Sequence, residues 1–285
     1  MTVLLQVFVP YRRLAHVFKW LTLTLFAYVA AVFAVRVPWG LVLHDLVVPQ
    51  RQWTGDHWTM VVALLGTTIS PYLFFWQASR EVEELRQKGG ARGTEAVVRA
   101  DLRRVKIDTW SGMIFSNLIA FFVMVTGAAA LYAAGVHDVT SAAQAAQALR
   151  PLAGDLAFWL FGGGIVATGL LASSAAYAVA EAFGWAEGLE RHWREAKRFY
   201  AIIAIATLAG TALDFTPVDP MKALYASAVV NGVVAVPIMA AMMTLVARER
   251  VTGRFTSSRH TRWLGWGGTA LMGGAVVMMA IDLFR

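Results

Sequence analysis

Long apolar blocks separated by short polar segments make up most of this chain. Seven of them are long enough, or nearly so, to cross a hydrocarbon layer of about 30 Å at about 1.5 Å per residue. Tryptophans lie at the edges of several blocks, as side chains at a membrane interface do. The pattern predicts an all-α, polytopic membrane protein whose single transmembrane domain covers residues 1–285. The seven blocks are Trp20–Val37, Thr59–Trp76, Ser111–Ala134, Leu156–Val179, Phe199–Phe215, Leu224–Val246 and Trp263–Phe284.

Composition excludes several other classes of protein. Of the 285 residues, 58% are hydrophobic and only 15% are charged, whereas soluble domains are about a quarter charged. The chain has no cysteine, which excludes disulfides and thiolate metal sites. No nucleophile–base pair or metal triad lies within a block, so we expect neither an enzyme nor a bound cofactor. Because the basic residues fall between apolar blocks, we expect a lipid bilayer as partner and no nucleic acid.

The basic residues also predict an orientation. Twenty of the 25 Lys and Arg residues lie before the first block or after the second, fourth and sixth blocks. Segments rich in Lys and Arg stay in the cytoplasm. The N-terminus and a charged connector at residues 80–108 are therefore expected to be cytoplasmic, with the C-terminus outside the plasma membrane.

The second block carries polar residues and a proline at its middle, in the stretch GTTISPYLFFW that begins at Gly66. Pro71 has no N–H, and its ring crowds the carbonyl of Thr67 four residues earlier. Ser70 precedes the proline and is pushed towards extended backbone. The stretch thus predicts a helix break around Thr68–Ser70, with Gly66 and Pro71 as its break residues, that leaves the Thr67 carbonyl free beside the hydroxyls of Thr67, Thr68 and Ser70.

Two interpretations of this break stay open on the residues alone. Transporters build cation sites near the membrane midplane from broken helices of this kind. A proline kink whose freed carbonyls bind Ser and Thr hydroxyls would have the same residues and no transport role.

A resemblance to a known family favours the first interpretation. The stretch LLGTTISPYLFFWQASREVEE is similar to the sixth helix of the Nramp (natural resistance-associated macrophage protein) family, in its bacterial branch. The stretches SNLIAFFVMVTGAA, SAAYAVAEAFGW and DPMKALYASAVVNGVVAVPIMAAMM resemble the same branch. The resemblance implies part of a LeuT-like inverted-repeat fold, covering family helices five to eleven, in the bacterial inner membrane. It also implies transport of divalent cations such as manganese and iron, often with protons.

The resemblance suggests roles for individual residues. It implies a metal-binding carbonyl at Thr67 and a metal-binding side chain at Ser70, where the family usually has Ala and Met. A hydroxyl instead of a thioether favours harder cations, so magnesium becomes the alternative to manganese. Tyr72 stands where the family has a histidine, which puts proton coupling in question. Asn231 matches a polar position near the metal in the family's tenth helix.

Each remaining candidate has a structural alternative. Asn231 and, less strongly, Asn117 could contact a cation, or each could make a hydrogen bond between helices. Pro237 removes the N–H that would bond the Val233 carbonyl. The acidic run Glu81, Glu83 and Glu84 is expected to be a solvated helix end, and Asp214 and Asp219 are expected to cap a loop.

The N-terminal residues suggest an alternative function. The resemblance places residues 1–10 as the remnant of an upstream helix, so that a longer chain would supply the missing helices. No Asp or Glu lies at the middle of a block, and a dehydrated divalent cation needs charged or abundant oxygen ligands. The alternative is a truncated, non-transporting fragment that inserts in the membrane with half of the metal site.

Overall fold

Every regular element that this computed structural model describes is helical. It describes residues 26, 29, 32–33, 37–48, 55–87, 95–132, 173–189, 193–213, 215–253 and 255–284. The helices are α1 (Trp39–Val47), α2 (Gly55–Thr68), α3 (Pro71–Gln87), α4 (Glu95–Thr126, followed by a π-helical segment Gly127–Tyr132), α5 (173–182), α6 (Lys197–Leu213), α7 (Pro220–Val246), α8 (Glu249–Thr252) and α9 (Arg259–Leu283).

Three stretches of helix among the described residues are long and apolar enough to cross a membrane. They are Val97–Ala129, Pro220–Val246 and Arg259–Leu283, with 33, 27 and 25 residues. They contain most of the third block and the whole or nearly the whole of the sixth and seventh. The predicted class, an all-α membrane protein, is thereby confirmed. The count of seven spans stays a prediction, because the first and fourth blocks lie largely outside the described residues.

The remaining predicted spans differ from the structure in their bounds. The second block is divided between α2 and α3, which the next subsection treats. The fifth corresponds to α6, which has 17 residues. Most of the connector at 80–108 is helical, since α3 continues to Gln87 and α4 begins at Glu95. An Arg99–Glu95 ion pair of 2.6 Å, one helical turn apart, stabilises the first turn of α4.

Helix ends follow ordinary capping chemistry. The Asp219 carboxylate accepts a hydrogen bond of 2.8 Å from the Met221 N–H, and Pro220 occupies the first turn of α7. The capping role expected for Asp219 is therefore confirmed, whereas Asp214 lies outside the described residues. At the start of α9 the Ser258 hydroxyl accepts from the Thr261 N–H at 3.3 Å.

The chain forms two compact units. The first contains Met1–Val48 and Phe75–Pro217, and the second contains Pro49–Phe74 and Val218–Arg285. In the first unit, a buried cluster joins α5 to α6 through Ala176, Tyr177, Phe199 and Ile203. The rings of Tyr177 and Phe199 meet edge to face, with centroids 4.8 Å apart.

In the second unit, α2, α7 and α9 pack against one another. Small residues fill much of their contact, while large apolar side chains point outward, as is usual for helices in lipid. Gly265 in α9 lies against the flexible side chain of Met243 in α7. The buried residues of this contact include Val62, Ala63, Ala228, Ala235, Met272 and Ala275, and the exposed ones include Leu264, Leu271 and Val277.

Candidate functional site

The second apolar block is two helices and not one. Helix α2 ends at Thr68 and α3 begins at Pro71, so the interruption consists of Ile69 and Ser70. The Ile69 N–H still donates to the Leu65 carbonyl at 2.7 Å, which extends the α2 pattern by one residue. Pro71 has no N–H to donate to the Thr67 carbonyl, and the backbone leaves the helix at Ser70.

Three hydroxyls accompany the end of α2. The Thr67 and Thr68 hydroxyls both donate to the Leu64 carbonyl, at 2.8 and 3.0 Å. The Ser70 hydroxyl lies 2.9 Å from the carbonyl oxygens of both Gly66 and Thr67. The prediction that the Thr67 carbonyl is free is therefore wrong: the Ser70 hydroxyl occupies the position of the backbone N–H that Pro71 lacks.

The oxygens around Ser70 form a small neutral cluster. Ser70 is 1% exposed and Pro71 is also buried. A hydroxyl that donates its hydrogen keeps its lone pairs, and a carbonyl that accepts one bond can accept another. The oxygens of Ser70, Gly66 and Thr67 can therefore still contact a cation. In the part of the chain that the structure describes, no group of three His, Asp or Glu residues could hold a metal ion.

Gly66 lies inside α2, so the prediction that it is a helix-break residue is wrong, and its role is one that the sequence did not reveal. A Cβ placed on Gly66 would lie 2.6 Å from the Gly232 backbone nitrogen and would also meet the Ala228 carbonyl oxygen. A Cβ on Gly232 would lie 2.6 Å from the Val62 carbonyl oxygen. Because real Cβ atoms do not approach other atoms so closely, the two helices can meet here only through glycine.

This glycine contact sets the register of α2 on α7. Gly66 meets Ala228 and Gly232, whereas Val62, one turn earlier, meets Gly232. The helices are therefore antiparallel. Asn231 lies at the level of Ala63–Thr67, which is about five residues, or about 7.5 Å along the helix axis, before Ser70. It is half-buried beside the contact, so the structure places Asn231 next to α2 and not at the break itself.

The other predicted residues lie elsewhere. Asn117, in the first unit, is exposed and its amide donates to the Met113 carbonyl one turn earlier, at 2.8 Å. This bond lies within α4, and among the described residues no bond from Asn117 to another helix is seen. Tyr72 belongs to the first turn of α3, and its side chain lies outside the described residues.

Two of the three carboxylates in the acidic run on α3 are less solvated than the sequence predicted, whereas the Glu84 side chain is 43% exposed. The side chains of Glu83 and Glu81 are only 19% and 26% exposed. Arg80 pairs with Glu83 at 2.7 Å, and the Tyr177 hydroxyl lies 3.3 Å from the same carboxylate. Arg80 is a neighbour within α3, whereas Tyr177 comes from α5, a contact that the local sequence does not reveal.

The same run joins α3 to α4. The Arg104 guanidinium lies 2.9 Å from the Glu84 carboxylate and 3.5 Å from that of Glu81. The Tyr177 hydroxyl also accepts the Leu189 N–H at 3.0 Å, which attaches the loop after α5 to this network. The run therefore has a structural role within the first unit.

Comparison with known proteins gives two findings. A sequence model described as natural resistance-associated macrophage protein-like, Nramp, matches residues 1–282. A protein of Caldanaerobacter subterraneus subsp. tengcongensis named "Divalent metal cation transporter MntH" is 26% identical over 148 residues. That alignment covers 52% of this chain and 34% of the relative, so the matched region spans about a third of that protein's length.

Proposed function

Because this chain belongs to the Nramp family, we propose that it carries divalent metal cations across a membrane, with the helix break as part of the cation pathway. The printed name of the relative, a divalent metal cation transporter, supports the substrate class. The family points to a transporter and not to an enzyme.

The observation that carries the proposal is the buried Ser70 hydroxyl. It lies 2.9 Å from two backbone carbonyl oxygens at a break between two helices. Oxygen donors of this kind suit hard divalent cations. In our proposal, the Ser70 hydroxyl and the Thr67 carbonyl contact the ion directly. Thr68 supports the turn, and Asn231 lies about 7.5 Å away along the helix axis as an outer contact.

The chemical nature of these donors predicts which divalent cations the site prefers. Neutral oxygens without a thioether favour manganese and magnesium over softer ions. Ser70→Cys, in a chain that has no other cysteine, exchanges the hydroxyl oxygen for a sulfur of similar size. We expect the ratio of cadmium to magnesium uptake to rise in this variant. An unchanged ratio would show that residue 70 does not touch the ion.

A second candidate follows from the same cluster. All the oxygens that the structure brings together at the break are neutral, and an uncompensated divalent charge away from water costs many kcal/mol. The second candidate is therefore a chain that inserts in the membrane and does not carry metal on its own.

One assay separates the two candidates. The 285-residue chain is purified and reconstituted in liposomes that contain a metal-sensitive dye, and manganese or magnesium is added outside. Saturable uptake above that of empty liposomes supports transport, and uptake equal to that of empty liposomes supports the second candidate. Ser70→Ala should lower the uptake, whereas Ser227→Ala, which removes an exposed hydroxyl bonded to the Leu224 carbonyl, should not.

Orientation belongs to the same proposal. We place the N-terminus in the cytoplasm of a bacterium and the C-terminus outside its inner membrane, from the distribution of Lys and Arg. Single cysteines introduced as Arg92→Cys, His137→Cys and Arg285→Cys can be labelled in intact cells with an impermeant thiol reagent. Labelling at positions 137 and 285 but not at 92 is expected, and the reverse pattern would invert the topology.

A further inference from the structure

A basic cleft opens at the start of α6, in the first unit and apart from the helix break. Its volume is about 420 Å³, and Trp185, Arg194, Glu195, Lys197 and Arg198 line it. These residues come from the loop after α5 and from the first turn of α6. Lys197 begins a helix of 17 residues whose later part is apolar.

The charges of the cleft are unbalanced. Three cationic side chains face one carboxylate, that of Glu195. None of the ion pairs between described residues involves Arg194, Lys197 or Arg198. The cleft therefore attracts an anion. The first N–H groups of α6 add to this attraction, because a helix N-terminus leaves them without partners inside the helix.

Aromatic rings hold two of the cations in place. The Arg198 guanidinium lies 5.1 Å from the centre of the Trp185 ring, and that of Arg194 lies 5.5 Å from the Trp193 ring. Phe183 stacks on Trp185 with ring centres 5.0 Å apart. Rings in this position leave the guanidinium N–H groups available to an anion.

The surroundings of the cleft are those of a membrane surface. The Phe183 side chain is 67% exposed beside it. Further along α6, the apolar side chains of Ile205 and Leu208 are 65% and 67% exposed. Exposed tryptophan and phenylalanine beside Arg and Lys are typical of the level where a helix passes from headgroups into hydrocarbon.

We propose that this cleft binds the phosphate of an anionic phospholipid, with Arg194, Lys197 and Arg198 on the headgroup and the exposed apolar side of α6 against the acyl chains. Arginine forks and lysine are the side chains that proteins use for phosphate, and basic pockets of membrane proteins bind anionic headgroups. A free phosphate ion would pair with the cations but would leave the apolar side of α6 uncovered, so we favour the lipid.

Native mass spectrometry of the full chain tests the proposal. The chain in detergent is titrated with phosphatidylglycerol or phosphatidylcholine of the same acyl chains. We expect tighter retention of phosphatidylglycerol, and a roughly tenfold or greater loss of that retention in the triple variant Arg194→Gln, Lys197→Gln, Arg198→Gln. The matched control is Arg248→Gln, Arg250→Gln, Arg259→Gln, which removes the same charge from exposed positions in the second unit.

Three results would overturn the proposal. Equal loss in both triple variants would show that only net charge matters. Full displacement of the lipid by millimolar inorganic phosphate would show that the cleft holds phosphate and not lipid. Unchanged retention in a single variant, Lys197→Glu, would show that the cleft does not hold the headgroup. Because Lys197 is exposed, this single variant is expected to fold, and it tests the proposal even if the triple variant misfolds.

Discussion

Two prolines in the same unit have opposite effects on their helices. Pro71 coincides with an interruption, where α2 ends and α3 begins. Pro237 lies inside α7, which continues unbroken from Pro220 to Val246. Both prolines lack the N–H that would bond the carbonyl four residues earlier, and both disfavour helical backbone in the preceding residue. Proline alone therefore does not decide where this chain breaks.

The residues before each proline account for the difference. Ser70 precedes Pro71, and its hydroxyl lies 2.9 Å from two carbonyl oxygens that the broken helix would leave unpaired. Val236 precedes Pro237, and its side chain has no hydrogen-bonding group. Leaving the helix there would expose further carbonyls to an apolar surrounding, at a cost of several kcal/mol for each. A membrane helix breaks where side chains can replace the lost backbone bonds.

Packing adds a second difference between the two regions. Pro71 is buried, and the helix before it meets α7 through the Gly66–Gly232 contact, whereas Pro237 is exposed.

The largest predicted effect comes from the contact between Gly66 and Gly232. Gly66→Ala places a methyl group against main-chain atoms of α7, and we expect it to lower the free energy of unfolding by about 3 kcal/mol.

Denaturant titration of the protein in detergent micelles measures this change. The matched control is Gly267→Ala in α9, where an added Cβ meets no atom within 4 Å. The control should be neutral or stabilise the protein slightly, since alanine favours helix over glycine. Equal effects of the two substitutions would mean that α2 and α7 are not held by backbone contact.

The second largest effect should follow from removal of the substitute hydrogen bonds. Ser70→Ala leaves the Gly66 and Thr67 carbonyls without their hydroxyl donor in a buried position, and we expect a loss of about 2 kcal/mol in the free energy of unfolding. Ser227→Ala removes an exposed hydroxyl from the same unit and should change it by less than about 0.5 kcal/mol. If the two variants unfold alike in the same titration, Ser70 does not stabilise the break.

The smallest predicted effect on stability comes from substituting the two prolines themselves. Pro237→Ala restores an N–H to a continuous helix, where it can bond the Val233 carbonyl and stabilise the protein by about 1 kcal/mol. Pro71→Ala should give a smaller gain, because the Ser70 hydroxyl already bonds the Thr67 carbonyl. Apparent melting temperatures of the two variants, compared with the parent, rank the gains. A larger gain for Pro71→Ala would contradict our explanation of the break.

Local chemistry made part of this structure predictable. The position of the break follows from Pro71 and the residue before it, because both act through the backbone within one helical turn. The direction of the Ser70 hydroxyl was not predictable, since a hydroxyl has two ways to act at a break. It can bind the carbonyls or leave them to a ligand, and the sequence is the same in both cases.

Tertiary contacts made the rest unpredictable. Gly66 was assigned to the break but lies inside α2, and its contact with Gly232 depends on the register of two helices far apart in sequence. The solvated state predicted for the acidic run on α3 was partly wrong for the same reason, because Tyr177 and Arg104 contact the run from other helices. The hydrophobic pattern of a single sequence indicates where each helix lies, but it does not show which other helix packs against it.

The glycine contact has a consequence for how this gene can change. At Gly66 an added methyl group meets the main chain of α7, which no amino-acid substitution can remove. At Gly265 the added methyl would meet the side chain of Met243, which a smaller residue can replace. In a genetic selection, a defective Gly265→Ala allele should therefore acquire suppressors at position 243. A defective Gly66→Ala allele should recover by reversion to glycine and not through any residue that faces it.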